Sequence, residues 1–217
     1  MIYLYCIIVI VGDFMDLYIA RHGESLGNTG EHNGVDPELS SLGREQSVRL
    51  AARMKSVHLD AIISSPFIRA VQTAKETAVL KGMEIEILPL LFEVGTEEGY
   101  EGVGLSELKK IYPNLTMYSD GKDYPLSLQN EDVGKTYLRA GEAIDRIKAR
   151  FGENSTVMIF AHGSFNNFLT SAAIGIDVRD DFNFCQENTG LTCIRFIKDN
   201  GKDKTKLEFS NDYCHLL

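Results

Sequence analysis

Short, unbroken apolar runs alternate along this chain with longer segments whose apolar residues recur every three to four positions. The runs predict strands at 16–20, 60–64, 84–88, 156–161 and 191–197, with a weaker one near 206–209. The periodic segments predict helices at 40–56, 66–81, 104–111, 132–151 and 164–174. Ser40, followed by Gly43 and Glu45, reads as an N-cap, and Gly82 as the end of the second helix. Along 132–151 the apolar face reads as Val133, Tyr137, Leu138, Ala140, Ile144 and Ile147. Strands without polar alternation, separated by helices, are buried on both faces. The pattern therefore predicts an α/β fold, a three-layer α/β/α sandwich around a mostly parallel central sheet. The stretch from Tyr112 to Glu131, with Pro113, Gly121 and Pro125, has little periodicity and reads as loop-rich.

The chemistry lies where the strands end. Leu17-Tyr18-Ile19-Ala20 stops at Arg21-His22-Gly23, and Val157-Met158-Ile159-Phe160-Ala161 stops at His162-Gly163. In an open α/β sheet ligands bind beyond the carboxyl ends of the strands. An imidazole there can act as a nucleophile, and a fixed guanidinium beside it suits an anion, above all phosphate. Gly23 is expected to turn the chain and leave room for a ligand. A third junction runs Ile62-Ile63-Ser64-Ser65-Pro66 into a helix with Arg69 in its first turns. Pro66 suits a helix start. A cation there opposes the helix dipole, but a helix N-terminus with an arginine makes an anion site.

Taken together, these junctions resemble the histidine phosphatase superfamily, the phosphoglycerate mutase-like family. The likeness runs from about Asp16 to about Phe196: Leu17 to Asn28, Leu39 to Gln46, Ser64 to Ala74, Phe160 to Gly163, and Asn188-Thr189-Gly190-Leu191-Thr192. The resemblance implies a phosphatase that works through a phosphohistidine. His22 would be the nucleophile, and Arg21, Arg69 and His162 would surround the phosphate. Asn28 and the Gly163 N–H would be further donors. The implied proton donor is Glu93, which directly follows an apolar run. The family's Gly-x-Trp-Glu-Gly segment reads Gly99-Tyr100-Glu101-Gly102 here, one residue farther on, so Glu97 and Glu98 remain rival acids. Asn166-Asn167 stands where many relatives carry an arginine. The loop-rich insert, about 93–131, would form a cap beside the pocket.

Three functions stay in contention. The first is a metal-independent phosphomonoesterase acting on a small phosphorylated metabolite, a phosphoric monoester hydrolase. The second is phosphoglycerate mutase-type phosphoryl transfer. Mutases carry a longer insert and an adjacent arginine pair, whereas between Glu93 and His162 the arginines are Arg139, Arg146 and Arg150, none adjacent. The third is a non-catalytic phospholigand binder, which would require a damaged catalytic set.

Composition narrows the setting. A chain of 217 residues suits one sizeable domain, and 44% hydrophobic residues is ordinary for a globular protein. A net charge of −9 argues against a general nucleic-acid surface. No His, Cys or carboxylate cluster has convincing metal spacing, and His32, His58 and His215 read as surface or structural. No cofactor is expected. Cys6, Cys185, Cys193 and Cys214 show no disulfide pattern, which suggests a reducing, cytoplasmic setting. The apolar run Ile2 to Val11 is too short for a membrane span and lacks the flanks of a signal peptide. Relatives usually begin just before the nucleophile strand, where Met15 stands. Residues 1–14 thus read as lying upstream of the natural start, or as an extra strand for a sheet edge or for the partner in a homodimer. Residues 15–217 read as a single histidine phosphatase domain.

Overall fold

A computed structural model describes residues 13–31, 34–95, 102–121, 131–178 and 183–217. In chain order the strands are β1 (Asp13–Arg21), β2 (Ala61–Ser64), β3 (Ile85–Ile87), β4 (Leu115–Met117), β5 (Thr156–Ala161), β6 (Leu191–Asp199) and β7 (Lys202–Asp212). The helices are α1 (Ser41–Arg53), α2 (Ile68–Lys81), α3 (Leu105–Ile111), α4 (Val133–Phe151) and α5 (Gly163–Ile174). Among the described residues the strands form one sheet in the order β4-β3-β2-β5-β1-β6-β7. From β4 to β1 neighbours run parallel, and β6 and β7 are antiparallel.

Successive residues of a strand face opposite sides of the sheet, and in the central strands both sides are apolar. Leu17, Ile19, Val157 and Ile159 pack with Ile144 and Ile147 of α4 and Phe165 and Leu169 of α5. Ala20, Ile62, Met158 and Phe160 pack with Leu50 of α1, Val71 and Ala74 of α2 and Leu108 of α3. Each large aliphatic side chain buried this way contributes roughly 1.5–3 kcal/mol. The centre of the sheet is thus a stiff platform for whatever its strand ends carry. The expected three-layer α/β/α sandwich is the observed fold.

The caps follow the sequence. Ser40 Oγ accepts from Gly43 N–H at 3.0 Å, and α2 stops at Gly82, whose φ is +65°. The end of the first helix tightens into a 3-10 turn over Met54–Ser56.

Several expectations need correction. β1 starts at Asp13, and Asp13 and Phe14 pair with Lys198 and Ile197, so two residues assigned to the N-terminal extension belong to the sheet. The run Ile2 to Val11 lies outside the described residues, as do Cys6, His32, Glu97 and Glu98. The loop-rich insert contains β4, which pairs with β3 through Leu115 and Ile85. β7 is far longer than its weak signal. Among the described residues it is an edge strand, and it carries Lys202, Lys204 and Lys206. On α4, Val133 and Leu138 are exposed, and the buried stripe is Thr136, Arg139, Ala140, Ala143, Ile144 and Ile147. No helix among the described residues is long and apolar enough to cross a membrane.

Candidate active site

β1 and β5 are hydrogen-bonded neighbours with Arg21 opposite Ala161. The residues that follow them, His22 and His162, therefore leave the sheet at the same level. His22 N–H donates to Ala161 O at 3.0 Å, and Ser65 N–H, just past β2, donates to Phe160 O at 2.9 Å. Three chain segments thus converge on one carboxyl edge. They open into a cavity of about 600 Å³ lined by Arg21, His22, Asn28, Arg69, Glu93 and Gly163. His162 lies behind this lining, wholly inaccessible, with its ring centroid 5.3 Å from that of His22. The structure thereby brings together all seven residues singled out above.

The hydrogen bonds of His22 define its tautomer. Nδ1 lies 2.7 Å from Gly23 O, which can only accept, so Nδ1 carries the hydrogen. Nε2 accepts from Arg69 Nε at 3.2 Å, so Nε2 holds the lone pair. Burial first, then the neighbouring Arg69 charge, pushes the His22 pKa well below its ordinary value, with Arg21 adding to the effect. The same two leading causes act on His162. Its Nε2 is 2.8 Å from Ser65 Oγ, and the Phe67 ring stands edge-on to it at 4.9 Å.

Both imidazoles are therefore neutral in the folded protein, while in the unfolded chain each titrates near 6.5. A folded pKa below the unfolded one contributes stability above that pH, and the contribution disappears as pH falls. Below about pH 6.5 each imidazole should steepen the loss of stability by about 1.4 kcal/mol per pH unit. Denaturant unfolding of the wild type and His22→Ala between pH 7.5 and 5 measures this. The wild-type slope should be the steeper by one imidazole's share, and equal slopes would contradict a neutral buried His22.

Arg69 is fixed on several sides. Its Nη1 donates to Val35 O at 3.2 Å and lies 3.4 Å from Asp36 Oδ1, and its guanidinium carbon sits 4.5 Å from the Phe67 ring centroid. Asp36 escaped the sequence reading. Its carboxylate also accepts the Ile68 N–H at 3.0 and 2.9 Å, capping a helix whose own N-cap residue, Phe67, offers no side-chain bond. The helix N-terminus expected to serve as an anion site is thus partly occupied by the protein's own carboxylate. No local pattern could have found Asp36, because its partners lie more than thirty positions away.

Arg21 Nη1 donates to Gln186 O at 2.6 Å, and its buried Nε has no hydrogen-bond partner among the described residues. Gly163 keeps close to it: a Cβ there would come within 3.2 Å of that Nε. A Cβ at Gly23 would stand 2.5 Å from Gly43 O, so this glycine makes room for the start of α1. Asn28 lines the cavity while its Oδ1 accepts from Ser25 N–H and Oγ, each at 3.1 Å. Asn188 Nδ2 donates to His22 O at 3.0 Å, so the late Asn-Thr-Gly segment braces the His22 backbone. His215 lies 3.0 Å from Thr189 Oγ1, and the exposed His58 lies 3.1 Å from Asp60 Oδ1. Asn166 is buried, and Asn167 lines the cavity.

Glu93 arrives after the 3-10 turn Pro89–Leu91. Its Oε1 accepts from Val94 N–H at 2.8 Å and Phe165 N–H at 3.0 Å. It thereby supplies α5 with a cap that the helix's N-cap residue, His162, does not make. Burial raises its pKa above the usual carboxylate range, against the lowering effect of the amides and of Arg69. Among the described residues no three His, Cys, Asp or Glu side chains form a group able to hold a metal ion. The arrangement can hold an anion between two arginines, against an imidazole lone pair, with the Glu93 carboxyl on the cavity wall.

Comparison with known proteins agrees with this geometry. The sequence model of the histidine phosphatase superfamily (branch 1) matches residues 17–208. Phosphoserine phosphatase 1 of Hydrogenobacter thermophilus is 28% identical over 204 residues, covering 92% of this chain and 93% of that protein. Phosphoglycerate mutase-like protein 4 of Arabidopsis thaliana is 27% identical over 160 residues, with 70% and 67% coverage. A phosphoserine phosphatase from Entamoeba histolytica, solved with 3-phosphoglyceric acid, superposes with a TM-score of 0.65 at 24% identity, covering 94% of this chain and all of that one. This last likeness is one of fold. The matched family spans nearly the whole described sheet, so the chain belongs to the histidine phosphatase superfamily. It is a phosphatase.

Proposed function

We propose that the protein hydrolyses small phosphate monoesters through a phosphohistidine on His22, without a metal ion. The observation that carries this reading is the His22 Nε2 lone pair, presented to the cavity by the Nδ1 bond to Gly23 O and flanked by Arg69. The incoming phosphoryl group takes over the Arg69 donor and freezes between Arg69 and Arg21. Nε2 attacks phosphorus, the P–O ester bond breaks, and the Glu93 carboxyl gives its proton to the leaving oxygen. Water then attacks phosphorus, Glu93 takes a proton from it, and the N–P bond breaks to return neutral His22. Fixed cationic donors contribute most where charge develops. His162, Asn28 and the Gly163 N–H complete the phosphate's surroundings.

Hydrolysis is favoured over mutase transfer by the interval from Glu93 to His162, which holds no adjacent arginine pair. The cavity of about 600 Å³ suits a metabolite-sized ester. The name of the 28% identical relative makes phosphoserine the first candidate.

A panel of phosphoserine, 3-phosphoglycerate, sugar phosphates and p-nitrophenyl phosphate, assayed for inorganic phosphate with EDTA present, tests the proposal. Release is expected from a small subset, undiminished by EDTA and inhibited competitively by vanadate. Activity lost on chelation and restored by a divalent ion would sink the metal-free mechanism.

A further inference from the structure

The buried side of α4 carries a cation that the chemistry above does not use. Arg139 is 5% exposed and absent from the cavity lining, yet its Nη1 and its ring contact lead toward Glu93. Its Nη1 donates to Leu90 O at 2.7 Å and to Phe92 O at 2.9 Å, the turn that delivers Glu93. Its guanidinium carbon lies 4.0 Å from the centroid of the Phe165 ring, and the Phe165 amide is one of those that donate to Glu93 Oε1. Nε donates to both Glu131 carboxylate oxygens, at 3.0 and 2.9 Å, which fixes the guanidinium's rotation.

We propose that Arg139 is the positioning residue for the proton donor, clamping the 90–93 turn and the start of α5 into one unit so that Glu93 meets the leaving oxygen. The proposal rests on the reading of Glu93 as the acid. A planar guanidinium can bridge two carbonyls, stack on a ring and grip a carboxylate at once, and an ammonium cannot. Without the clamp, Leu90 O and Phe92 O lose a buried donor and the turn can shift. A displacement of about 1 Å at a reacting group costs on the order of 100-fold.

The test compares Arg139→Gln, Glu93→Gln and the double variant on an alkyl phosphate and on p-nitrophenyl phosphate. Thermal melts confirm folding, and where Arg139→Gln does not fold, Arg139→Lys carries the same comparison. Arg139→Gln should lower kcat for the alkyl phosphate by roughly 10–100-fold, with KM and the p-nitrophenyl phosphate rate little changed. In the Glu93→Gln background the same change should cost less than about twofold more, because the two residues act as a unit. Equal losses on both substrates that multiply with those of Glu93→Gln would reduce Arg139 to a fold-stabilising residue and overturn the proposal. If Glu93→Gln alone shows no leaving-group dependence, the acid assignment itself fails and the positioning role falls with it, a result read from a different variant.

Discussion

His22→Ala loses turnover of every phosphate ester, by roughly 10⁴–10⁶-fold, the scale on which loss of a covalent nucleophile registers in other hydrolases. The variant stays folded, because His22 stands at the cavity wall and the core beneath it is built from Leu17, Ile19 and Ile159. Circular dichroism checks the fold, and phosphate release checks the rate. The wild type, quenched during turnover, should carry an acid-labile, base-stable phosphoryl group on His22. Label found on a serine, an aspartate or a cysteine instead would rule out the phosphohistidine. Cys185 also lines the cavity, so mapping of the labelled peptide is the decisive readout.

The second large effect is at Glu93. Glu93→Gln should lower kcat by about 10²–10⁴-fold for alkyl phosphates, the range of general acid catalysis. The loss should shrink for p-nitrophenyl phosphate, whose leaving group needs little help from a proton. The pH profile gives an independent sign. Burial raises the Glu93 pKa, and the acid must be protonated to act, so wild-type activity declines as pH rises through that raised value. The acid limb, set by His22, lies well below the ordinary histidine range because His22 stays neutral. In Glu93→Gln the alkaline limb should flatten. If Glu97→Gln or Glu98→Gln produces the leaving-group-dependent loss and Glu93→Gln does not, the acid is misassigned.

What could be read from the chain, and what could not, follows from how far apart the interacting residues lie. β1 and β5 are buried on both faces, so their apolar runs stand out, and the polar residues that interrupt them, Arg21-His22 and His162, mark the edge of the sheet. β4 has three residues, of which Leu115 alone is buried, too short a stretch to form a pattern. β7 hid because an edge strand carries lysines where an inner strand carries valine or isoleucine. α4 shows a subtler failure. Its hydrophobic residues Val133 and Leu138 are exposed, while a charged residue, Arg139, occupies the buried stripe. Its burial depends on Leu90 O, Phe92 O and Glu131, the first two more than forty positions distant. Asp36 was illegible for the same reason. The two histidines and the arginines that meet at the cavity could be read because strand ends announce themselves locally. The residues that hold them in place could not, because they act across the fold.

The placement of Glu93 outside the sheet has a consequence for how such a chain diversifies. His22 and His162 are rooted in adjacent, mutually hydrogen-bonded strands whose register leaves almost no freedom. Glu93, the proposed proton donor, comes instead from a connecting turn held to a helix end by amide and guanidinium contacts. On the proposed mechanism the part of the substrate common to all esters is met by the scaffold, and the part that differs from one alcohol to the next is met by a connection. Connections tolerate insertion and drift that strands do not. A lineage of such chains can exchange one leaving group for another by remodelling that turn, while the distance between imidazole and phosphorus is inherited unchanged.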